Sequence, residues 1–239
     1  MDEKIAAWLC SFSGCTGGNP TSQIWLCGIE WGLQANEAQK YYNELYNGIR
    51  EGFVKECDSY FDWSDCIKYQ YGIKFAKLYQ AIVGKPISSY REVTDLKGNE
   101  VFAMNLYPIA FNSTDDSLWN KNNLHLVTGF LTKTIYREWC FFNRSVFYKE
   151  LCRKHRPKII ICNGLGYLRD FLMYFCNADS IQSLNSEFVT DCFGNERPMY
   201  WINMDGMYFF VVPFFGGRFG LSSDSIIECF GKRISEISK

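Results

Sequence analysis

The chain is poor in the residues from which metal sites, membrane spans and basic nucleic-acid surfaces are usually built. Histidine occurs twice, as His125 and His155, and no two of the eleven cysteines stand in a CxxC pair. Zinc and iron–sulfur sites bring such ligands in clusters, so neither a metal nor any other cofactor is expected. No apolar run approaches the roughly 18 residues that cross a bilayer. The opening MDEKIAAWLCSF carries acids where a secretion signal carries positive charge. The expectation is a soluble, cytoplasmic protein without a membrane partner, whose scattered thiols are free and buried. An excess of basic residues is missing too: 25 Lys and Arg stand against 26 Asp and Glu, for a net charge of −1. Contact with nucleic acid would then have to come from local patches. With no internal repeat, low-complexity tract or linker, residues 1–239 read as one domain, and no coiled coil argues against a monomer.

Apolar and aromatic residues are abundant, with 20 Phe, 15 Tyr and 7 Trp, enough for a large core and for pocket walls. Four apolar runs read as buried strands: Ile24–Cys27, Val101–Tyr107, Lys158–Cys162 and Met207–Phe215. Helical spacing runs through Asp2–Phe12, Asn36–Gly52, Tyr71–Val83, much of Leu124–Leu151, Tyr167–Cys176 and the stretch from about Ser223. Val93–Glu100 reads as a turn or hairpin, Ser113–Asn123 as a polar loop and Asp179–Pro198 as irregular or as a hairpin. Strands alternating with helices predict an α/β fold, a three-layer α/β/α sandwich around a central four-stranded parallel sheet.

Each strand ends in a polar or glycine turn: GIEWG, NLYP, NGLG and FFGGR. Ligands of open α/β sheets sit outside the carboxyl ends of the strands, so these turns are the first place to look for a site. Glu30, beside Trp31, is a candidate general base or electrostatic stabiliser, although a lone loop acid is ordinarily solvated. Asn105 is an amide in an apolar strand, out of place unless hydrogen-bonded or functional. Asn163 either touches a ligand or caps the helix that follows. The loop Gly14–Pro20 lacks the GK[ST] ending of a phosphate loop and reads as a plain turn, although its backbone amides could approach a phosphate or a base. Tyr60, Phe61 and Trp63 divide between core and surface, and the cations from Arg153 to Lys158 suit a helix carboxyl end.

In order along the chain, these segments resemble the uracil-DNA glycosylase superfamily. Gly28-Ile29-Glu30-Trp31-Gly32 is similar to its first motif, with Glu30 at the position of the water-activating acid or amide. Asn105 matches the Asn that hydrogen-bonds the flipped pyrimidine, Ile159–Phe171 the third strand and its glycine turn, and Tyr71 the aromatic on which the base stacks. Two departures stand out. Phe214 occupies the place of the histidine in the second motif, and Trp31 replaces a common proline.

The resemblance implies a monofunctional DNA glycosylase that flips a base and hydrolyses its N-glycosidic bond, with no lysine placed for Schiff-base chemistry. Phe214, Gly216 and Gly217 in place of the histidine loop favour a bulky modified pyrimidine over uracil. The motifs are similar to those of antiphage glycosylases that remove glucosylated hydroxymethylcytosine from viral DNA. Trp31, as a pocket wall or packing residue, and Asn163 complete the expected substrate contacts. Arg218 either contacts DNA, at a phosphate or in a groove, or makes a surface ion pair, and Asn19 is the other expected DNA contact. An oxocarbenium-like transition state needs a nearby carboxylate, and an Asn suits a pyrimidine edge. Uracil repair, a silent reader of modified bases and an unrelated small-molecule hydrolase remain the alternatives.

Overall fold

The computed structural model describes residues 2–30, 32–34, 36–56, 66–92, 100–111 and 115–239. The expectations for Trp31, for Tyr60, Phe61 and Trp63, and for most of the Val93–Glu100 turn fall outside them. Seven strands make one sheet: β1 (Gly17–Gly18), β2 (Ile24–Gly28), β3 (Val101–Asn105), β4 (Ile159–Asn163), β5 (Asn185–Thr190), β6 (Glu196–Met204) and β7 (Met207–Val212). Their order is β1-β3-β2-β4-β7-β6-β5. β3, β2, β4 and β7 run parallel, while β1, β6 and β5 are antiparallel to their neighbours.

The sheet is therefore mixed and wider than the four-stranded parallel one expected. Of the two readings of Asp179–Pro198, irregular or hairpin, the hairpin is the one found: the stretch holds β5 and the start of β6, which pair antiparallel. Asp205 and Gly206, both at positive φ, close the turn from β6 into β7, a geometry that matches strand twist. The glycine loop also differs from expectation. Gly17 and Gly18 pair with Ala103 and Phe102 at the sheet edge. A Cβ on Gly18 would stand 2.0 Å from the Val101 carbonyl oxygen, so only glycine permits this approach.

Helices α1 (Glu3–Leu9), α2 (Ala38–Glu51), α3 (Gln70–Ile82), α4 (Ser117–Lys121), α5 (Leu124–Thr128), α6 (Lys133–Phe142), α7 (Arg144–His155), α8 (Leu168–Phe175), α9 (Ala178–Ile181) and α10 (Asp224–Ile237) follow in chain order. The polar stretch before residue 124 thus contains a short helix, with Trp119 buried beneath it. Strand alternation divides the core in two. Trp25, Phe102, Ile160 and Phe209 face a layer that includes α1, α2 and α4 to α8. Ile24, Val101, Ile161 and Phe210 face α3 and α10. Each buried Phe there, such as Phe75 or Phe230, contributes about 1.5–3 kcal/mol of transfer free energy. The ten described cysteines are free thiols. Burial pushes Cys140 and Cys176 up to about 12, so both are protonated and inert at neutral pH. Among the described residues no helix is long and apolar enough to cross a membrane.

The β5–β6 turn is held by Asp191. Its Oδ1 accepts from the backbone N–H groups of Phe193 and Asn195 at 3.0 and 2.9 Å, and its Oδ2 from the Ser225 hydroxyl at 2.7 Å. Desolvation opposes the charge, but hydrogen bonds from Asn195 and Ser225 outweigh it and bring the carboxyl down to about 2. A depressed carboxyl stabilises the fold above its unfolded value, about 3.9, and loses that contribution as pH falls. The stability gap between the protein and Asp191→Asn should narrow as pH drops from about 4 to about 2. Urea unfolding at several pH values measures it, and a gap constant across that window contradicts the assignment.

Candidate functional site

The carboxyl ends of the four parallel strands meet at one rim. Gly28 is in register with Asn105, Cys27 with Cys162, and Asn163 with Val212. Asn105, Gly28 and Asn163 thus form one row across three adjacent strands. Period-two alternation turns all three toward α3, on the same face as Leu26, Ala103 and Ile161. A cavity of about 780 Å³ opens over this row, within the range of about 300–1,000 Å³ usual for small-molecule sites. Leu26 and Ala103 contribute from deeper in the sheet, Tyr69, Tyr71 and Gly72 from the start of α3, and Phe111, Leu165, Tyr167 and Phe214 from surrounding loops. Glu30, Asn105 and Asn163 border it as well. Backbone N–H groups in the first turn of a helix lack intrahelical partners, and the cap of α3 has no side-chain hydrogen bond, so this wall is electropositive.

Glu30 extends beyond β2 and is nearly buried. Its Oε1 accepts a hydrogen bond from the Lys133 ammonium at 3.0 Å, and its Oε2 lies 3.5 Å from Arg137 Nη2 without a hydrogen-bond partner. Lys133 and Arg137 stand one turn apart on α6. The Lys133 side chain is fully buried, its Nζ 3.7 Å from the centre of the Phe111 ring. Burial pushes the Lys133 ammonium down from its ordinary value, and the Glu30 charge opposes that shift. Arg137 also lies over the Tyr107 ring, whose hydroxyl donates to Asp170 at 2.6 Å. One oxygen of the acid is thus anchored, and the other, buried beside Arg137, has no hydrogen-bond partner. Sequence reasoning missed both cations, because a polar residue on an amphipathic helix reads as solvent-facing. Lys133 is not among the residues bordering the cavity, so its amine stands behind Glu30 rather than in the site.

Asn105 donates both its backbone N–H and its side-chain Nδ2 to the Gly14 carbonyl, at 3.0 and 3.1 Å. A carbonyl only accepts, so the amide can face Gly14 one way round, with Oδ1 directed over Gly28. A Cβ on Gly28 would come 2.4 Å from that Oδ1 and 3.4 Å from the Tyr71 hydroxyl. The glycine is there because the amide occupies its side-chain space. Asn163 is fully buried and donates its Nδ2 to the Pro213 carbonyl at 2.8 Å.

Tyr71 packs edge-on to Phe215 at 5.1 Å and is tilted against the half-exposed Phe214 at 6.1 Å. Burial, with Cys27 next, pushes its phenol far up, so Tyr71 is a neutral hydroxyl. Other expected site residues lie apart. Gly216 and Gly217 follow Phe214 but do not border the cavity. Arg218 is exposed beyond them, its guanidinium 5.5 Å over the Phe219 ring. Asn19 closes a turn, its Oδ1 accepting from the backbone N–H and the hydroxyl of Thr21, both at 2.9 Å, and it too is outside the cavity. Among the described residues no three His, Cys, Asp or Glu side chains converge as metal ligands would. No model of a known protein family matches the chain, and no curated protein is significantly similar to it.

Two substitutions probe this arrangement. Lys133→Met leaves Glu30 buried with only the poorly aligned Arg137. Breaking a buried pair on one side costs about 3–5 kcal/mol, and the remaining cation puts this change at the lower end. Urea unfolding at pH 7 measures it, and a loss below about 1 kcal/mol, typical of exposed pairs, contradicts the pairing. Gly28→Ala should push the Asn105 amide aside and lower ligand affinity at least about tenfold. Titration of the ligand into the folded variant measures it, and unchanged affinity removes Asn105 from the binding site.

Proposed function

We propose that the protein is an N-glycosidase that draws a base out of DNA and hydrolyses its bond to the sugar. Within that class we propose a monofunctional DNA glycosylase of the uracil-DNA glycosylase kind, acting as a monomer. Its base is a bulky modified pyrimidine such as glucosylated hydroxymethylcytosine, and its biological setting is antiphage defence.

The observation that carries the reading is that Glu30 and Asn105, from the tips of neighbouring parallel strands, border one cavity while Glu30 Oε2 has no hydrogen-bond partner. In hydrolysis, the bond between the anomeric carbon and the base nitrogen breaks and its electron pair leaves on the base. A water held by Glu30 Oε2 bonds to the anomeric carbon and gives up a proton to the carboxylate, which returns it to solvent or to the departing base. The carboxylate also stabilises the oxocarbenium-like transition state. Asn105 offers an acceptor and a second N–H to the base edge, and Tyr71 and Phe214 offer rings beside it. A cavity of about 780 Å³ leaves space beyond a bare pyrimidine ring. Phe214 supplies no proton to the leaving group where a histidine would, and the electropositive start of α3 can ease that charge in its place.

A second reading is a silent reader of modified bases. It is favoured by the two cations that already balance the Glu30 charge. Oligonucleotides carrying uracil, hydroxymethylcytosine or glucosylated hydroxymethylcytosine, followed by alkali, distinguish the two. Excision by the parent protein, reduced at least about a hundredfold in Glu30→Gln, is the expected result. That variant removes the anion of a buried pair, so it is assayed below its own melting temperature. Binding without excision in the parent protein establishes the reader instead.

A further inference from the structure

We propose that Asn163 is a specificity-determining acceptor: the exocyclic amine of the bound base, or a hydroxyl of a sugar carried on it, must donate to Asn163 Oδ1. The proposal rests on the glycosylase reading and deepens it by naming the chemistry of the base edge. Asn163 is fully buried at the tip of β4. Its Nδ2 is engaged by the Pro213 carbonyl at 2.8 Å, and that carbonyl has no proton to offer in return. The amide therefore cannot turn over, and the ambiguity that usually attends an Asn side chain is absent. Its Oδ1 is buried with no hydrogen-bond partner, at a residue that borders the cavity. An acceptor left unsatisfied away from water is unfavourable, and a ligand that donates to it removes that penalty.

Asn105 cannot make this discrimination. With one N–H bound to Gly14, it still has an acceptor and a donor, and so suits a ketone or an amine. Asn163 presents its acceptor alone. A pyrimidine with an exocyclic amine satisfies it. A pyrimidine with a carbonyl at that position sets lone pair against lone pair, with no water between. A hydroxyl of a sugar carried on the base would serve equally, since the requirement is for a donated proton.

The test uses four oligonucleotides, each with one hydroxymethylcytosine or hydroxymethyluracil, free or glucosylated. Excision by the parent protein and equilibrium binding by Glu30→Gln are measured for each, and both are repeated in the background of Asn163→Leu. A preference for cytosine over uracil forms of at least about tenfold, reduced to below about threefold by Asn163→Leu, assigns the donor to the base amine. The same pattern between glucosylated and free forms assigns it to a sugar hydroxyl. Either result supports the proposal. Should Asn163→Leu fail to fold, the preferences of the parent protein alone decide: a preference for the cytosine or for the glucosylated forms supports the proposal, and neither preference, or the reverse ones, overturns it. A preference that survives in folded Asn163→Leu also overturns it and leaves the glycosylase reading standing. Neither excision nor binding with any of the four overturns that reading and this proposal together.

Discussion

Arg144 is fully buried, and its guanidinium is surrounded by backbone carbonyls, those of Leu9, Ser11, Ser13 and Leu106, together with the Tyr148 hydroxyl. Removing a cation from water costs several kcal/mol unless its donors are satisfied. Here oriented dipoles satisfy them, and among the described residues no carboxylate pairs with it. The consequence is geometric. The segment after α1 is drawn against the end of β3, which carries the Gly14 carbonyl to Asn105. That carbonyl takes the backbone and the side-chain N–H of Asn105 together. The amide at the site is thus oriented by a chain segment about ninety residues earlier, through a charge that never meets the ligand.

Glu30 is held by a different device. Lys133 and Arg137 reach it from a single helix, α6, whose start is fixed by the Thr132 hydroxyl accepting from Ile135 N–H. The acid belongs to a strand tip and its counter-charges to the layer on one side of the sheet. In surroundings of low dielectric such a pair holds its geometry closely, which suits the orienting role proposed for the acid. It also weakens the field the acid projects. The arrangement balances orientation against electrostatic strength, and the chemistry proposed for the site depends on the charge that remains.

The parallel strands were legible because each is an unbroken apolar run buried on both faces, and the terminal helix because Ser223 precedes an amphipathic repeat. The antiparallel strands were harder. β6 carries Arg197, Pro198, Asn203 and only two buried residues, so its pattern resembles a loop. Its clear signal is Asp205-Gly206 between Met204 and Met207, both at positive φ, a pair typical of a two-residue hairpin turn. At the site, Glu30, Asn105 and Asn163 could be picked out because polar groups at the ends of apolar strands violate the local pattern. Lys133, Arg137 and Arg144 violate nothing locally. Their burial is a property of how the helices dock, and a single sequence does not display that. Asn19, a polar residue in a glycine-rich loop, violates nothing locally either, and its Oδ1 accepts from the backbone N–H and hydroxyl of Thr21.

The mixed sheet also limits how the site can be built. Beside β7, the hairpin strands widen the sheet, but β6 runs the other way and sends its carboxyl end to the opposite rim. The parallel quartet delivers its carboxyl ends to the cavity mouth, through Glu30, Asn105, Asn163 and Phe214. A shift in ligand preference can then be made at one of those four tips, at Leu26 or Ala103 beneath them, at the start of α3, or in the loops that overhang them. Further strands added at either margin would enlarge the scaffold and leave its selectivity untouched.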